Sequence, residues 1–389
     1  MKTKRIGIGF IGLLCTAVFI MTTSSVSALE GEEVKIGALI PLTGFASGFG
    51  GNQKIALDLA IKEINAAGGI GGKKLNVILY DTESKGETSI LGFRKLATQD
   101  EVLAILGPFL STECEVSFPL ANRYKVVSIS ASAAKPGLAA SNRPYGFTNS
   151  TTDMDIMPPA VKKWQAKYNI KKVCIVTDIK DALNKNTGEV VFPGICKQLG
   201  IEIIGTASYV TGEMDFSATI TKFKGLNPHG VMISGTLADA AGIVKEAAKQ
   251  AMRKPFIGGV AIQAPKFLEL AGRDAEGTYT GASFFTGNPL PKSKAFVESY
   301  VKASGGPEPN PFAANMHENL FIMKELIEKT GVTNKKSDLP SDREKIMKGL
   351  TALKNFSGVT GTFSMKPEGT VEKTGYVLVV KDGKWTIAD

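Results

Sequence analysis

Two short runs of hydroxyls stand where a strand-like segment gives way to a helix-like one. Ser111-Thr112 follows the apolar run Val102–Leu106, and Ser130-Ala131-Ser132-Ala133 follows Val126–Ile129. The first turn of a helix carries unpaired N–H groups and the positive end of the helix dipole. It therefore holds a carboxylate well, and a serine there adds a donor. The same serines could simply cap helices, and residue chemistry alone leaves both readings open.

Groups for catalysis are scarce. Of the two histidines, His229 lies in the turn Asn227-Pro228-His229-Gly230 and His317 lies beside Glu318 in a helical stretch. The chain has no Gly-x-Ser-x-Gly elbow, zinc-protease helix motif, Cys-x-x-Cys pair or phosphate loop. Without a nucleophile–base constellation the residues argue against an enzyme and name no cofactor or metal. Gly68-Gly69-Ile70-Gly71-Gly72 follows a helix and precedes a strand, so it reads as a helix stop and turn. Gly44 to Gly51 has the strand-to-helix order of a dinucleotide loop but lacks the third glycine. It reads as a loop where backbone approaches a ligand or another lobe.

The elements that must position these groups alternate along the chain. Val34–Ile40 reads as a strand, and a helix from about Asn52 to Ala66 carries Leu57, Ala60, Ile61 and Ile64 at helical spacing. Strand Leu75–Tyr80, a helix from about Glu87, strand Val102–Leu106, a helix from near Ser111 and strand Val126–Ile129 follow. The pattern restarts after Thr151-Thr152-Asp153, with strands at Lys172–Thr177, Glu202–Thr206, Gly230–Ile233 and Pro255–Ile257 separated by helices, one of them from about Thr187 to Leu199. Two such runs predict an α/β fold of two lobes with parallel sheets. Ligands on such sheets sit outside the carboxyl ends of the strands. Residues 292–353 read as mostly helical, and the chain closes with short strands.

Composition narrows the class. The 389 residues are 43% hydrophobic and 21% charged, as in a packed globular protein. Lys2, Lys4 and Arg5, the uncharged apolar stretch Ile6 to Met21 and the small residues Val26-Ser27-Ala28 have the order of a secretory signal peptide, with cleavage expected after Ala28. Loss of those three cations takes the net charge from +9 to +6. Cations and acids are otherwise interspersed, which gives no nucleic-acid footprint. Leu14 before Cys15 argues against a lipid attachment site. The remaining Cys114, Cys174 and Cys196 are an odd set, which allows at most one bridge, Cys174–Cys196 among the choices.

Ile36-Gly37-Ala38-Leu39-Ile40-Pro41-Leu42-Thr43-Gly44, Ile64-Asn65-Ala66-Ala67-Gly68-Gly69-Ile70-Gly71-Gly72, Ile105-Leu106-Gly107-Pro108, Asp215-Phe216-Ser217 and Ala275-Glu276-Gly277 occur in this order. With these motifs the chain, from about Val34 to its C-terminus, resembles the periplasmic leucine/isoleucine/valine-binding proteins, the solute receptors of branched-chain amino acid ABC transporters. The resemblance implies a type I periplasmic binding protein: two Rossmann-like lobes joined by three hinge crossings, with the ligand trapped between them. After the 1–28 leader, lobe 1 is expected at 29–149 plus 284–374 and lobe 2 at 150–283 plus 375–389. It further implies a periplasmic monomer that serves an inner-membrane permease. A sensor of the same fold that regulates a partner protein is the alternative.

Carried over by position, the resemblance implies that Ser111, with Thr112 beside it, binds a ligand carboxylate. Ser132, followed by Ala133, offers a carbonyl to the ligand ammonium, and Phe49 forms an aromatic wall. Departures accompany these matches. A family threonine falls on Ala134, the second-lobe tyrosine on Leu237, the glutamate that pairs with the α-ammonium on Val260, and the first-lobe disulfide on Ser84 and Leu110. A buried ammonium without a counter-charge costs several kcal/mol. Either another acid substitutes (Asp239, Asp178, Asp181 and Glu113 are candidates), or the ligand lacks the ammonium. In the second case Ser111 takes its acid end while Phe49, Phe109, Leu237 and Val260 line its apolar body.

Overall fold

A computed structural model describes residues 29–263, 265–373 and 375–388. The expected leader lies outside the described residues. In the first half β1 (Glu33–Ile40), α1 (Ser47–Ala66), β2 (Lys74–Asp81), α2 (Gly86–Thr98), β3 (Ala104–Leu106), α3 (Ser111–Tyr124), β4 (Val127–Ser130) and β5 (Gly146–Thr148) alternate. All five strands are parallel, in the order β2-β1-β3-β4-β5. The order reverses between β1 and β3, the crevice where doubly wound sheets receive ligands.

The second half repeats the plan. α4 (Asp153–Tyr168), β6 (Lys172–Asp178), α5 (Ala182–Asn186), α6 (Phe192–Leu199), β7 (Glu202–Tyr209), α7 (Ser217–Leu226), β8 (Gly230–Ser234), α8 (Leu237–Lys249), β9 (Phe256–Gly258), α9 (Pro265–Ala271) and β10 (Tyr279–Ala282) build a sheet with the parallel order β7-β6-β8-β9-β10. Helices α10 (Pro291–Ser304), α11 (Pro311–Lys329) and α12 (Leu339–Thr351) come next, then the antiparallel strands β11 (Phe356–Ser357), β12 (Thr362–Met365) and β13 (Val371–Lys373). The chain ends with β14 (Tyr376–Lys381) and β15 (Lys384–Ile387), antiparallel on the edge of the second sheet.

The cores show how the lobes are stitched. Ile36, Leu39, Ile105 and Phe147 of the first sheet share one core with Met316, Leu320, Ile346, Phe363 and Val371 from the late segment. Trp164, Val173, Ile175, Met232 and Tyr279 share another with Ala388. The chain thus crosses between lobes after Thr148, after Ala282 and after Lys373. Asp155 and Lys366 form an ion pair across the lobes, 3.2 Å apart, and the Tyr376 hydroxyl donates to the Thr360 carbonyl at 3.2 Å.

Two expectations are corrected and one open choice is settled. Helix α1 begins at Ser47, inside the stretch expected to be a glycine loop. The helix expected from about Thr187 begins at Ala182 and passes through a π-helical turn at Thr187–Val191 before α6. Cys174 and Cys196 are both free and buried, so the Cys174–Cys196 bridge does not form; burial pushes both thiols up to about 11. Among the described residues no helix is long and apolar enough to cross a membrane.

Candidate functional site

The loop between β3 and α3 is held by a ladder of serines. β4 and the residue pair after it put Ser128, Ser130 and Ser132 at alternate positions. Their hydroxyls donate to three successive carbonyls: Ser128 to Gly107 (2.7 Å), Ser130 to Pro108 (2.6 Å) and Ser132 to Phe109 (2.7 Å). Ser130 Oγ also accepts from the N–H groups of Ser132 (3.3 Å) and Ala133 (3.0 Å). Each contact is buried, so each rung removed strands a polar group. Ser130→Ala is expected to lower stability by about 1–3 kcal/mol in urea denaturation. A loss below 0.5 kcal/mol would show that solvent replaces the rung.

That ladder fixes the start of α3, where Ser111 is the first helical residue after Leu110, whose backbone is extended. Among the described residues neither the Ser111 nor the Thr112 hydroxyl has a hydrogen-bond partner. Cys114 donates its N–H to Leu110, which leaves the amides of the first turn without helical acceptors. The Leu110 N–H donates to Glu113 Oε2 at 2.9 Å, so Glu113 is turned back on its own helix. Burial raises the Glu113 carboxyl, against the hydrogen bond from the Leu110 N–H.

An aromatic cluster stands beside this helix end. Phe49, in the first turn of α1, stacks on Phe109 with ring centroids 5.5 Å apart. Phe312, at the start of α11, meets both edge-on at 5.8 and 5.5 Å. Phe109 is buried beneath while Phe49 is 47% exposed. Sequence reasoning named Phe49 and Phe109 but missed Phe312, which lies some 200 residues later on a helix with no motif of its own. Ala133 is buried and Ala134 half-buried; neither brings a polar side chain.

On the second lobe the candidate acids differ sharply. Asp239 accepts from the Gly212 N–H (3.2 Å) and the Thr236 hydroxyl (2.8 Å), so both its oxygens are engaged at the start of α8. Asp178 accepts from the Thr211 hydroxyl (2.6 Å) and the Lys180 N–H (3.0 Å), and Asp181 caps α5 through the Asn184 N–H (2.8 Å). These three carboxylates hold loops together. Leu237 opens α8, half-buried against the second-lobe core, and Val260 follows β9 in a 3₁₀ turn, packed on its neighbour core.

Asp153, which sequence reasoning did not single out, is the first residue of α4 and 4% exposed. Its Oδ2 accepts from the Thr187 hydroxyl at 2.5 Å, and the Val260 N–H faces the carboxylate. Its Oδ1 has no partner. Burial pushes this carboxyl up to about 6 in spite of those two donors. No group of three or more His, Cys, Asp or Glu among the described residues could hold a metal ion. His229 Nδ1 accepts from the Lys171 N–H at 3.1 Å, a packing contact, and His317 bonds Glu63 at 2.9 Å on α1.

Comparison with known proteins agrees with this fold. The sequence model described as periplasmic binding protein matches residues 33–384. Leu/Ile/Val-binding protein homolog 3 of Brucella melitensis is 24% identical over 377 residues, 96% of this chain and 98% of its own length. The leucine-, isoleucine-, valine-, threonine-, and alanine-binding protein of Pseudomonas aeruginosa is 23% identical over 90% of each chain. Among solved structures, the branched-chain amino acid transporter substrate binding protein of Streptococcus pneumoniae in complex with isoleucine superposes with a TM-score of 0.70. It is 28% identical and covers 91% of this chain and 97% of its own. The solute binding protein of an ABC transporter from Rhodopseudomonas palustris, in complex with 3,4-dihydroxy benzoic acid, has a TM-score of 0.73 at 23% identity over 91% and 95%. With two doubly wound lobes, three crossings and a family match over nearly the whole described chain, this protein belongs to the periplasmic binding protein family.

Proposed function

We propose that the chain is the solute receptor of an ABC transporter and binds a branched-chain amino acid or a related hydrophobic small carboxylate between its lobes. In this reading lobe 1 is 29–149 with 284–374, and lobe 2 is 150–283 with 375–389. The receptor works as a periplasmic monomer, exported by the 1–28 leader, and hands its ligand to an inner-membrane permease. The observation that carries the reading is the start of α3, where unpaired amides and the Ser111 hydroxyl adjoin the Phe49–Phe109–Phe312 cluster. That juxtaposition suits an anion joined to an apolar body. The ligands named for the neighbouring structures, isoleucine and leucine as well as 3,4-dihydroxy benzoic acid and 4-hydroxybenzoate, share that chemistry. Contacts to both lobes would make closure ligand-dependent.

Thermal-shift screening with amino acids, 2-oxo acids and aromatic acids tests the reading, because a ligand bound only by the folded state raises Tm. Calorimetry on folded Ser111→Ala is expected to show about 1–3 kcal/mol weaker binding of whichever acid is found. Unchanged affinity would remove Ser111 from the site, and no stabilising acid in any class would remove the receptor reading.

A further inference from the structure

A cavity of about 600 Å³ lies on the first lobe, between α1, α10, α11 and β11 with the turn after it. It is set apart from the cleft. The cleft is approached at the first turns of α1 and α11, where Phe49 and Phe312 meet. The cavity runs instead to their last turns, at Glu63, Glu328 and Lys329. A space of this size suits a small organic molecule.

Its wall is aromatic. The His317 ring stacks on Phe321 and lies tilted against Phe296, each with ring centroids 4.8 Å away, and Phe356 and Val359 continue the apolar surface. His317 is 5% exposed. Its Nε2 bonds Glu63 Oε2 at 2.9 Å; an ionised carboxylate can only accept, which assigns the shared proton to Nε2 and makes Nδ1 of the neutral ring an acceptor. Nδ1 is buried and has no partner. Such an acceptor is rare in a native fold and calls for a donor. The lysines at the mouth are already engaged: Lys324 with Glu328 (2.6 Å), Lys329 with Glu325 (2.9 Å) and Lys292 with the Ser357 carbonyl (2.6 Å). With those cations matched, the cavity favours an uncharged ligand, in contrast to the open helix end of α3.

We propose that this cavity is a second ligand site, which takes a small uncharged aromatic molecule bearing one O–H or N–H donor, a phenol or an indole. The ring packs on the aromatic wall, and a small tilt of the imidazole presents Nδ1 to the donor. Glu63 is the positioning residue, because its bond to Nε2 fixes the tautomer. The site goes beyond the receptor reading and is filled independently of the acid in the cleft.

Calorimetry with 4-methylphenol and its methyl ether, 4-methylanisole, tests the site, because only the phenol carries a donor. The phenol is expected to bind once per chain and the ether at least tenfold more weakly, since the ether leaves the acceptor unpaired. His317→Phe keeps a ring in the stack and removes Nδ1. In that variant the phenol should weaken at least tenfold and come within about threefold of the ether. Ala295→Trp, on an exposed position of α10 that lines the cavity, fills the mouth. It should melt as the wild type does and bind no phenol, and it decides the matter if His317→Phe does not fold. Saturating the cleft with an acid found by thermal shift should leave the phenol's affinity within about threefold. No phenol binding at millimolar concentration, or equal binding of phenol and ether, would overturn the site. Phenol binding that survives Ala295→Trp or is displaced by the acid would place the phenol elsewhere and overturn it as well.

Discussion

Replacing Lys373 by methionine is expected to cost the folded protein about 3–5 kcal/mol, the usual loss when one partner of a buried ion pair is removed. The Lys373 and Glu318 side chains are 3% and 1% exposed, with Nζ and Oε2 2.8 Å apart. Lys373 Nζ also donates to Asn315 Oδ1 at 2.8 Å and lies 4.4 Å above the Phe363 ring. Glu318 Oε1 accepts from the Thr360 amide (2.7 Å) and hydroxyl (2.8 Å), and Asn149 Nδ2 donates to Oε2 at 3.3 Å and to Asn319 Oδ1 at 2.9 Å. Desolvation lowers the pKa of Lys373, with Glu318 opposing it. The methionine would leave the Glu318 charge buried with donors but no cation.

The network also bears on the proposed closure. Asn149 lies on the first crossing and Lys373 at the start of the third, so one buried cluster anchors two of the three hinges to α11. In urea the Lys373→Met midpoint should fall while the m value holds, since the surface exposed on unfolding is nearly the same. Glu318→Gln should cost a similar amount. The double variant should recover at least 1 kcal/mol of the summed losses, because no charge is then left alone. Single-variant losses under 1 kcal/mol would mean that water reaches the pair and that the hinges are anchored elsewhere.

Much of the scaffold was legible because its signals are local. The period of α1 and the apolar runs of β1, β6 and β8 are continuous, and parallel strands buried on both faces leave such runs. Two short strands were not legible: β5 and β10, three and four residues long, take their place from neighbours rather than from a pattern of their own, whereas the equally short β3 and β9 sit in apolar runs. The site divides in the same way. The places of Ser111 and Ser132 could be read because each follows a strand, but Phe312 is brought to Phe49 and Phe109 only by the packing of α11 on α1. Asp153 gave no local signal beyond that of a helix-starting acid. Its burial comes from Thr187, Gly259 and Val260, which folding alone brings around it. Conversely, Asp239 looked available in sequence and is engaged in the structure, because its own N-terminal turn and the 212 loop consume its oxygens.

The glycines of 44–51 show the same limit from the other side, and they carry the second large prediction. The stretch reads as a loop in sequence, yet Gly48, Gly50 and Gly51 are helical. Only one of the three needs to be glycine. A Cβ at Gly50 would lie 1.9 Å from the Pro41 carbonyl oxygen and 2.6 Å from its carbon, so α1 starts directly against the backbone that leaves β1. At Gly48 and Gly51 a Cβ would meet nothing within 4 Å. Gly50→Ala is therefore expected to lose about 3 kcal/mol or more, the upper end of overpacking costs, because backbone rather than a flexible side-chain tip must move. Gly48→Ala and Gly51→Ala are expected to gain about 0.5–1 kcal/mol each, since alanine loses less backbone entropy than glycine on entering a helix. The displacement in Gly50→Ala also reaches the proposed ligand site. Phe49 precedes Gly50, and lifting the first turn of α1 from β1 unstacks it from Phe109, so affinity should fall at least tenfold in any variant that still folds. Denaturation and calorimetry on the three alanine variants read both effects. Equal behaviour of the three would mean that the start of α1 is not seated on Pro41 and that the aromatic wall is placed by other contacts.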